Sequence, residues 1–205
     1  AKIGKKVKIL LASSGMVYGD CPKPAKETDK IKPIGDYAQS KAQMEKEALK
    51  FKNTNLQIVI TRAFNHTGPG QKLGFVVPDF ANQIAQIEKG KLSPKMKVGD
   101  LSAKRNFLDV RDVVSAYQLI MEKSKSSLYN IATAKPYSIE QILKILLSFS
   151  KVKIDVQIDK SKLRPSDVQK STGSIAKIKK ELGWQPKIPL ETTLKKTLNF
   201  WRKIN

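Results

Sequence analysis

Cysteine occurs once, at Cys21, and histidine once, at His66, in 205 residues. A lone thiol closes no internal disulfide, and one thiol with one imidazole is too few for a Cys/His metal centre, so no metal is expected. No apolar run approaches the roughly 20 residues that a membrane-spanning helix needs, and no membrane association is expected. Acid is scarce too: 18 Asp and Glu stand against 39 Lys and Arg, a formal charge of +21. That balance is the usual footprint of a nucleic-acid binder. Its texture argues otherwise, because only five of the basic residues are Arg (62, 105, 111, 164, 202) and the other 34 are Lys spread through every segment. Nucleic-acid readers favour clustered Arg, whose planar fork suits phosphates and base edges. Solvated lysine surface with some attraction for small anions is the expectation, with no nucleic-acid partner. The basic stretch 1–8 leads straight into a strand-like run without a longer signal core, so a cytoplasmic protein is expected.

The remaining composition, 40% apolar and 28% charged, is that of an ordinary globular chain long enough for one sizeable domain or a domain and a half. Val7, Ile9, Leu10 and Leu11 make a nearly continuous apolar run, the pattern of a buried parallel strand over 5–12. Pro22, Pro24 and Pro33 keep 20–36 irregular. A helix is expected from Asp36, acting as its cap, to about Lys52, with Ala38, Ala42, Met44, Ala48 and Leu49 available for burial. A strand over 56–61 follows, and the glycines flanking Pro69 force a turn. Periodicity predicts further helices at 77–89, 112–122, 139–148, 176–182 and 190–202, and strands at 96–99, 127–132 and 153–158. Gly90 and Gly183 are placed to stop the helices before them.

Alternating strands and helices predict an α/β fold with right-handed crossovers onto a mainly parallel sheet. A doubly wound nucleotide-binding sheet ordinarily opens with a strand and a G-x-G-x-x-G turn, which this sequence does not contain. The expected fold is therefore the C-terminal part of a doubly wound Rossmann-like parallel sheet, entered at its fifth strand and interleaved with a smaller α/β substrate-binding lobe.

One pattern carries chemistry. Tyr37 and Lys41 are four apart at the start of a helix, hence on one face, and an ammonium beside a phenol stabilises its phenolate and makes it a useful acid or base. Ser14 stands 23 positions earlier, at the end of the first strand, where a hydroxyl can hold a reacting oxygen. The Tyr/Lys spacing alone arises by chance about once in so lysine-rich a chain; its context carries the case. That context is Ala12-Ser13-Ser14 followed by Val17-Tyr18-Gly19-Asp20, with the Tyr/Lys pair downstream.

These residues resemble the extended short-chain dehydrogenases/reductases that act on nucleotide sugars. The likeness covers essentially the whole chain. Arg62-Ala63-Phe64-Asn65-His66-Thr67-Gly68-Pro69-Gly70-Gln71, Gly74-Phe75-Val76, Asp79-Phe80-Ala81, Val98-Gly99-Asp100-Leu101, Lys104-Arg105-Asn106-Phe107, Asp109-Val110-Arg111-Asp112 and Leu163-Arg164-Pro165-Ser166-Asp167-Val168 look most like GDP-6-deoxy-4-keto-mannose reductases. The related GDP-mannose 4,6-dehydratases place carboxylates directly after the catalytic hydroxyl residue. Gly15-Met16 stand there instead, which favours plain carbonyl reduction, with a sugar 4-epimerase or 4,6-dehydratase as alternatives and a non-catalytic GDP-sugar-binding remnant as another.

The resemblance implies Ser14, Tyr37 and Lys41 as catalytic residues. It also implies a nicotinamide cofactor, NADP or NAD, held by Tyr37, Lys41 and Phe64. Ser14, Asn65, Arg105, Arg164 and Asp167 would bind the GDP-sugar, the two guanidinium groups on its diphosphate. Segments 1–67 and 105–133 would form the incomplete cofactor domain, and 68–104 with 134–205 the nucleotide-sugar lobe. A homodimer is expected, with a separate polypeptide as one source of the missing N-terminal half. His66 lies in a turn, where a structural hydrogen bond is the expected role.

Overall fold

The computed structural model describes residues 6–51, 55–159, 161 and 168–205. Strand β1 (Val7–Ser14) ends in a 3-10 turn (Gly15–Tyr18), and helix α1 (Asp36–Leu49) returns the chain to β2 (Leu56–Ala63). Then come β3 (His66–Thr67), α2 (Val76–Glu88), β4 (Lys95–Val98), β5 (Lys104–Asn106), β6 (Leu108–Asp109), α3 (Val110–Lys123) and β7 (Leu128–Ile131). The chain closes with β8 (Pro136–Ser138), α4 (Ile139–Ser148), β9 (Asp155–Ile158), β10 (Lys170–Ser171), α5 (Ala176–Leu182) and α6 (Leu190–Ile204).

The apolar runs at the start of β1 and in β2 do what such runs do: they pair in parallel inside a layered sheet. β1 and β2 are in register from Val7 opposite Leu56 to Ser14 opposite Ala63, and β7 joins the far side of β2, giving the order β1-β2-β7. The carboxyl ends Ser14, Ala63 and Ile131 therefore come level at one edge, the end where open α/β sheets hold ligands. This is the expected α/β architecture with parallel strands. Three small sheets complete it: β10-β5-β8, β3-β6 and β4-β9.

Two cores result. The first gathers Val17, Tyr18, Val59, Phe64, Ile120, Tyr129, Ile131, Ile178 and Trp184 around the three-stranded sheet. The second packs α2, α4 and α6 on one another and on β4 through Phe80, Ile84, Met96, Ile142, Leu146, Leu194, Leu198 and Trp201. Phe107 belongs to the second core, whereas Ile178 and Trp184 cross back to the first.

Local chemistry sets the ends of the helices. Ser138 and Gln141 form a capping box at α4, satisfying two otherwise orphaned donors. Gly183 ends α5 in the left-handed region at φ 70°. At α1 the expectation needs correcting. The cap is Gly35 at φ 79°, and Asp36 is the first helical residue, where its charge favours the positive end of the helix. The burial on α1 also departs from expectation: Ala38 and Ala48 are buried, Leu49 is exposed, and the charged Glu45 is buried instead.

Candidate active site

Ser14 is the last residue of β1 and the cap of the following turn, its Oγ accepting the Met16 N–H at 3.1 Å. That bond uses one lone pair and leaves the hydroxyl proton to donate elsewhere. Tyr37, in the first turn of α1, is 59% exposed and lines the same cleft as Ser14. Lys41 follows one turn later. Its Nζ donates to the Ala12 carbonyl oxygen at 2.9 Å and lies 5.9 Å from the centroid of the Tyr37 ring. Two of its three N–H groups remain for a ligand.

Phe64 forms a wall of this cleft and is itself buried. Its ring fits because two neighbours have no side chain: a Cβ on Gly15 would stand 2.7 Å from the ring and one on Gly173 2.2 Å, both closer than real contacts allow. Asn65 also lines the cleft, with its backbone carbonyl accepting the Leu108 N–H at 2.9 Å and holding β3 beside β6. His66 contacts the Phe64 carbonyl oxygen through Nδ1 at 3.0 Å, the structural hydrogen bond expected of it.

The cleft measures about 700 Å³, a size suited to a small organic ligand. Ser14, Tyr37, Lys41, Phe64 and Asn65 are thus brought together on its wall. Arg105 is not among the lining residues. Its guanidinium donates to the carbonyl oxygens of Lys104 (2.9 Å), Gln169 (3.0 Å) and Val168 (2.5 Å), fastening β5 to the segment that leads into β10. Burial pulls its pKa down, and the carboxylates of Asp20 and Asp100 oppose that. Arg164 and Asp167 lie outside the described residues. Among the described residues no cluster of His, Cys, Asp or Glu could hold a metal ion.

Sequence reading does not reach three features. Tyr117 of α3 lines the cleft, and burial raises its phenol above the usual range. Ser171 of β10 also lines it, with a buried hydroxyl that has no partner within the described residues. The third is a buried ionic network directly behind Ser14. Ser13 Oγ donates to Glu45 Oε1 at 2.5 Å, and Arg62 grips the same carboxylate through Nε (3.0 Å) and Nη2 (2.7 Å). Arg62 Nη1 donates to the Tyr18 hydroxyl at 2.8 Å, which donates to Asn130 Oδ1 at 2.8 Å. Burial, the largest effect, works against the Arg62 charge, but its hydrogen bonds to Glu45 and Tyr18 and the attraction of both groups together outweigh it and raise the guanidinium pKa. A carboxylate at the second four-residue step after Tyr37 was the available sequence signal.

Comparison with known proteins identifies the family and the fold. The family described as GDP-mannose 4,6 dehydratase matches residues 1–197. The chain is 32% identical over 197 residues to a GDP-6-deoxy-D-mannose reductase of Pseudomonas aeruginosa, covering 94% of this chain and 65% of that protein. It is 28% identical over 195 residues to GDP-mannose 4,6 dehydratase 1 of Arabidopsis thaliana, covering 94% of this chain and 54% of that one. The chain therefore spans about half to two thirds of the length of these relatives. The solved structure of RMD from Pseudomonas aeruginosa complexed with NADPH superposes with a TM-score of 0.91 at 30% identity, over 97% of this chain and 67% of that one. With its parallel Rossmann-like sheet, this chain belongs to the GDP-mannose 4,6 dehydratase family of extended short-chain dehydrogenases/reductases.

Proposed function

We propose that this chain carries the catalytic part of a nucleotide-sugar oxidoreductase that reduces the 4-keto group of a GDP-4-keto-6-deoxyhexose. The observation behind this reading is the single cleft that gathers Ser14, Tyr37, Lys41 and Phe64, with Gly15-Met16 in the place where a dehydratase would need carboxylates. A nicotinamide fits what lines the cleft: the flat Phe64 wall fixed by Gly15 and Gly173, and an ammonium with two donors to spare.

When bound, the reduced nicotinamide supplies a hydride. C4 of the sugar gains it, the π pair of the C4 carbonyl moves to oxygen, and the Tyr37 hydroxyl gives that oxygen a proton, leaving an alcohol. Ser14 holds the same oxygen through the O–H that its bond to Met16 leaves free. Lys41 stabilises the phenolate that remains on Tyr37. Asn65, Arg105, Arg164 and Asp167 are proposed for the nucleotide end. NADP or NAD as cofactor belongs to the same proposal, supported by the NADPH in the solved relative. So do a cytoplasmic homodimer and the division of 1–67 with 105–133 from 68–104 with 134–205. Completion of the cofactor sheet by further polypeptide alongside β1 is proposed as well. Among the described residues no helix is long and apolar enough to cross a membrane.

The test is hydride transfer from NADPH or NADH to GDP-4-keto-6-deoxymannose, followed at the nicotinamide absorbance, for the chain alone and with the N-terminal part of a relative added. Tyr37→Phe should lower turnover by about 10²- to 10⁴-fold, the range of a lost general acid. GDP should also raise the melting temperature more than UDP does. GDP binding without turnover in any combination would establish a binding remnant, and C4 inversion without net cofactor oxidation an epimerase.

A further inference from the structure

Tyr37, Lys41 and Glu45 recur every four residues on α1 and so form one stripe along the helix. Lys41 and Glu45 both reach β1, at successive residues: Lys41 to the Ala12 carbonyl, Glu45 to the Ser13 hydroxyl. Arg62, the partner of Glu45, stands opposite Ser13 in the register of β1 and β2, one rung before Ser14 and Ala63. Arg62 donates to the Tyr18 hydroxyl, which in turn donates to Asn130, and this extends the network to β7, the third strand of the sheet.

We infer that the Glu45–Arg62 pair is a positioning element that sets the depth and rotation of α1 against the strand end, and through it the placement of Tyr37 and Lys41 relative to Ser14. The inference rests on the reductase reading. A pair this buried, with side chains 6% and 8% exposed, gains little as plain glue, since well-packed apolar residues hold elements together as well or better. An ion pair adds direction. The planar guanidinium fork admits one approach of the carboxylate, with Tyr18 behind the fork at 4.7 Å from ring centroid to Cζ. An apolar contact tolerates the sliding of a helix by a fraction of a turn. A misplacement of about 1 Å costs a catalytic group on the order of 10²-fold, so that tolerance matters here.

Removing one partner strands a buried charge and endangers the fold. The decisive variant is therefore Glu45→Met with Arg62→Met in the full protein. It should fold with an undiminished melting temperature, lose at least about tenfold in kcat, and keep KM for the GDP-sugar within about twofold. Its crystal structure should show Lys41 Nζ drawn away from the Ala12 carbonyl, beyond about 3.5 Å. A folded double variant with kcat unchanged overturns the inference. If the unsubstituted protein reduces no 4-keto sugar, the reductase reading falls, and the Lys41–Ala12 separation alone decides: a retained hydrogen bond overturns the inference and a lost one upholds it. Should the double variant not fold, Arg62→Lys, which keeps the charge and loses the fork, carries the same readouts.

Discussion

Lys41 donates to the Ala12 carbonyl at 2.9 Å while its ammonium stays 5.9 Å from the centre of the Tyr37 ring. The strand that ends in Ser14 thus aims the cation one turn below the phenol. Lys41→Met removes the cation and keeps most of the aliphatic stem. Turnover should fall about 10²-fold or more, while the melting temperature moves by only a few degrees, because the lost bond is solvent-exposed. Steady-state kinetics beside thermal unfolding checks both halves.

Gly173→Ala drives a methyl group into the Phe64 ring. The ring must move, so the variant should lose about 1–3 kcal/mol of stability, the usual cost of overpacking. It should also weaken nicotinamide binding, because the same ring lines the cleft. Calorimetric unfolding and a cofactor titration on one preparation test this, and unaltered cofactor affinity would argue against Phe64 as the nicotinamide wall.

Asp109 is buried at the start of α3, where it accepts hydrogen bonds from Arg111 (2.8 and 2.7 Å) and from Thr193 of α6 (2.8 Å). Burial works to raise its pKa, and the Arg111 and Thr193 hydrogen bonds overcome that, so the folded value lies below the usual one. A carboxyl lowered by folding stabilises the protein above its unfolded pKa, about 3.9, and that stability disappears as pH falls through the lower folded value. Asp109→Asn keeps a capping oxygen yet should cost about 1–3 kcal/mol at neutral pH and flatten the acid limb of the stability curve. Urea unfolding from about pH 6 down to pH 3 reads this directly. An acid limb as steep as the parent's would remove Asp109 from the account.

Arg202 near the end of α6 clasps Glu88 of α2, whose side chain is 5% exposed, at 2.7 and 2.6 Å and also donates to the Phe149 carbonyl. Arg202→Ala takes the cation from that carboxylate while the Lys151 N–H (2.9 Å) stays, and should destabilise by about 3 kcal/mol, the low end for a broken buried pair. The damage should register as an early, separate loss of α2, α4 and α6 in amide hydrogen exchange.

Long elements were legible in the sequence because each carries its own pattern. The apolar run of β1, the periodicity of α2 and α6, and the stop at Gly183 need no tertiary knowledge. β3, β5, β6, β8 and β10 are two or three residues long and exist only because a partner strand lies alongside; no periodicity fits in so short a span. Residue type points to Asp36 as the cap of α1 because Asp is a common cap, whereas the entry angle after the proline-rich segment demands a positive φ that Gly35 supplies. The cleft residues Ser14, Tyr37 and Lys41 were legible as a motif. Glu45 was not, since an acid within a charged helix reads as solvated surface until a buried Arg62 is found opposite. Arg105 likewise does not separate by residue type into a phosphate ligand or a loop clasp, and among the described residues it donates to the main-chain carbonyls of Lys104, Val168 and Gln169.

The Phe64 ring meets both Gly15, in the turn that follows Ser14, and Gly173, in the stretch that follows β10, segments roughly 160 residues apart in the chain. A methyl group at either flank forces the aromatic to move at a cost in stability, or to be replaced by a smaller side chain, so the three positions are expected to drift as a set. A protein of this family that bears alanine at either flank should therefore carry something smaller than phenylalanine between them, and its cleft should open wider at that wall.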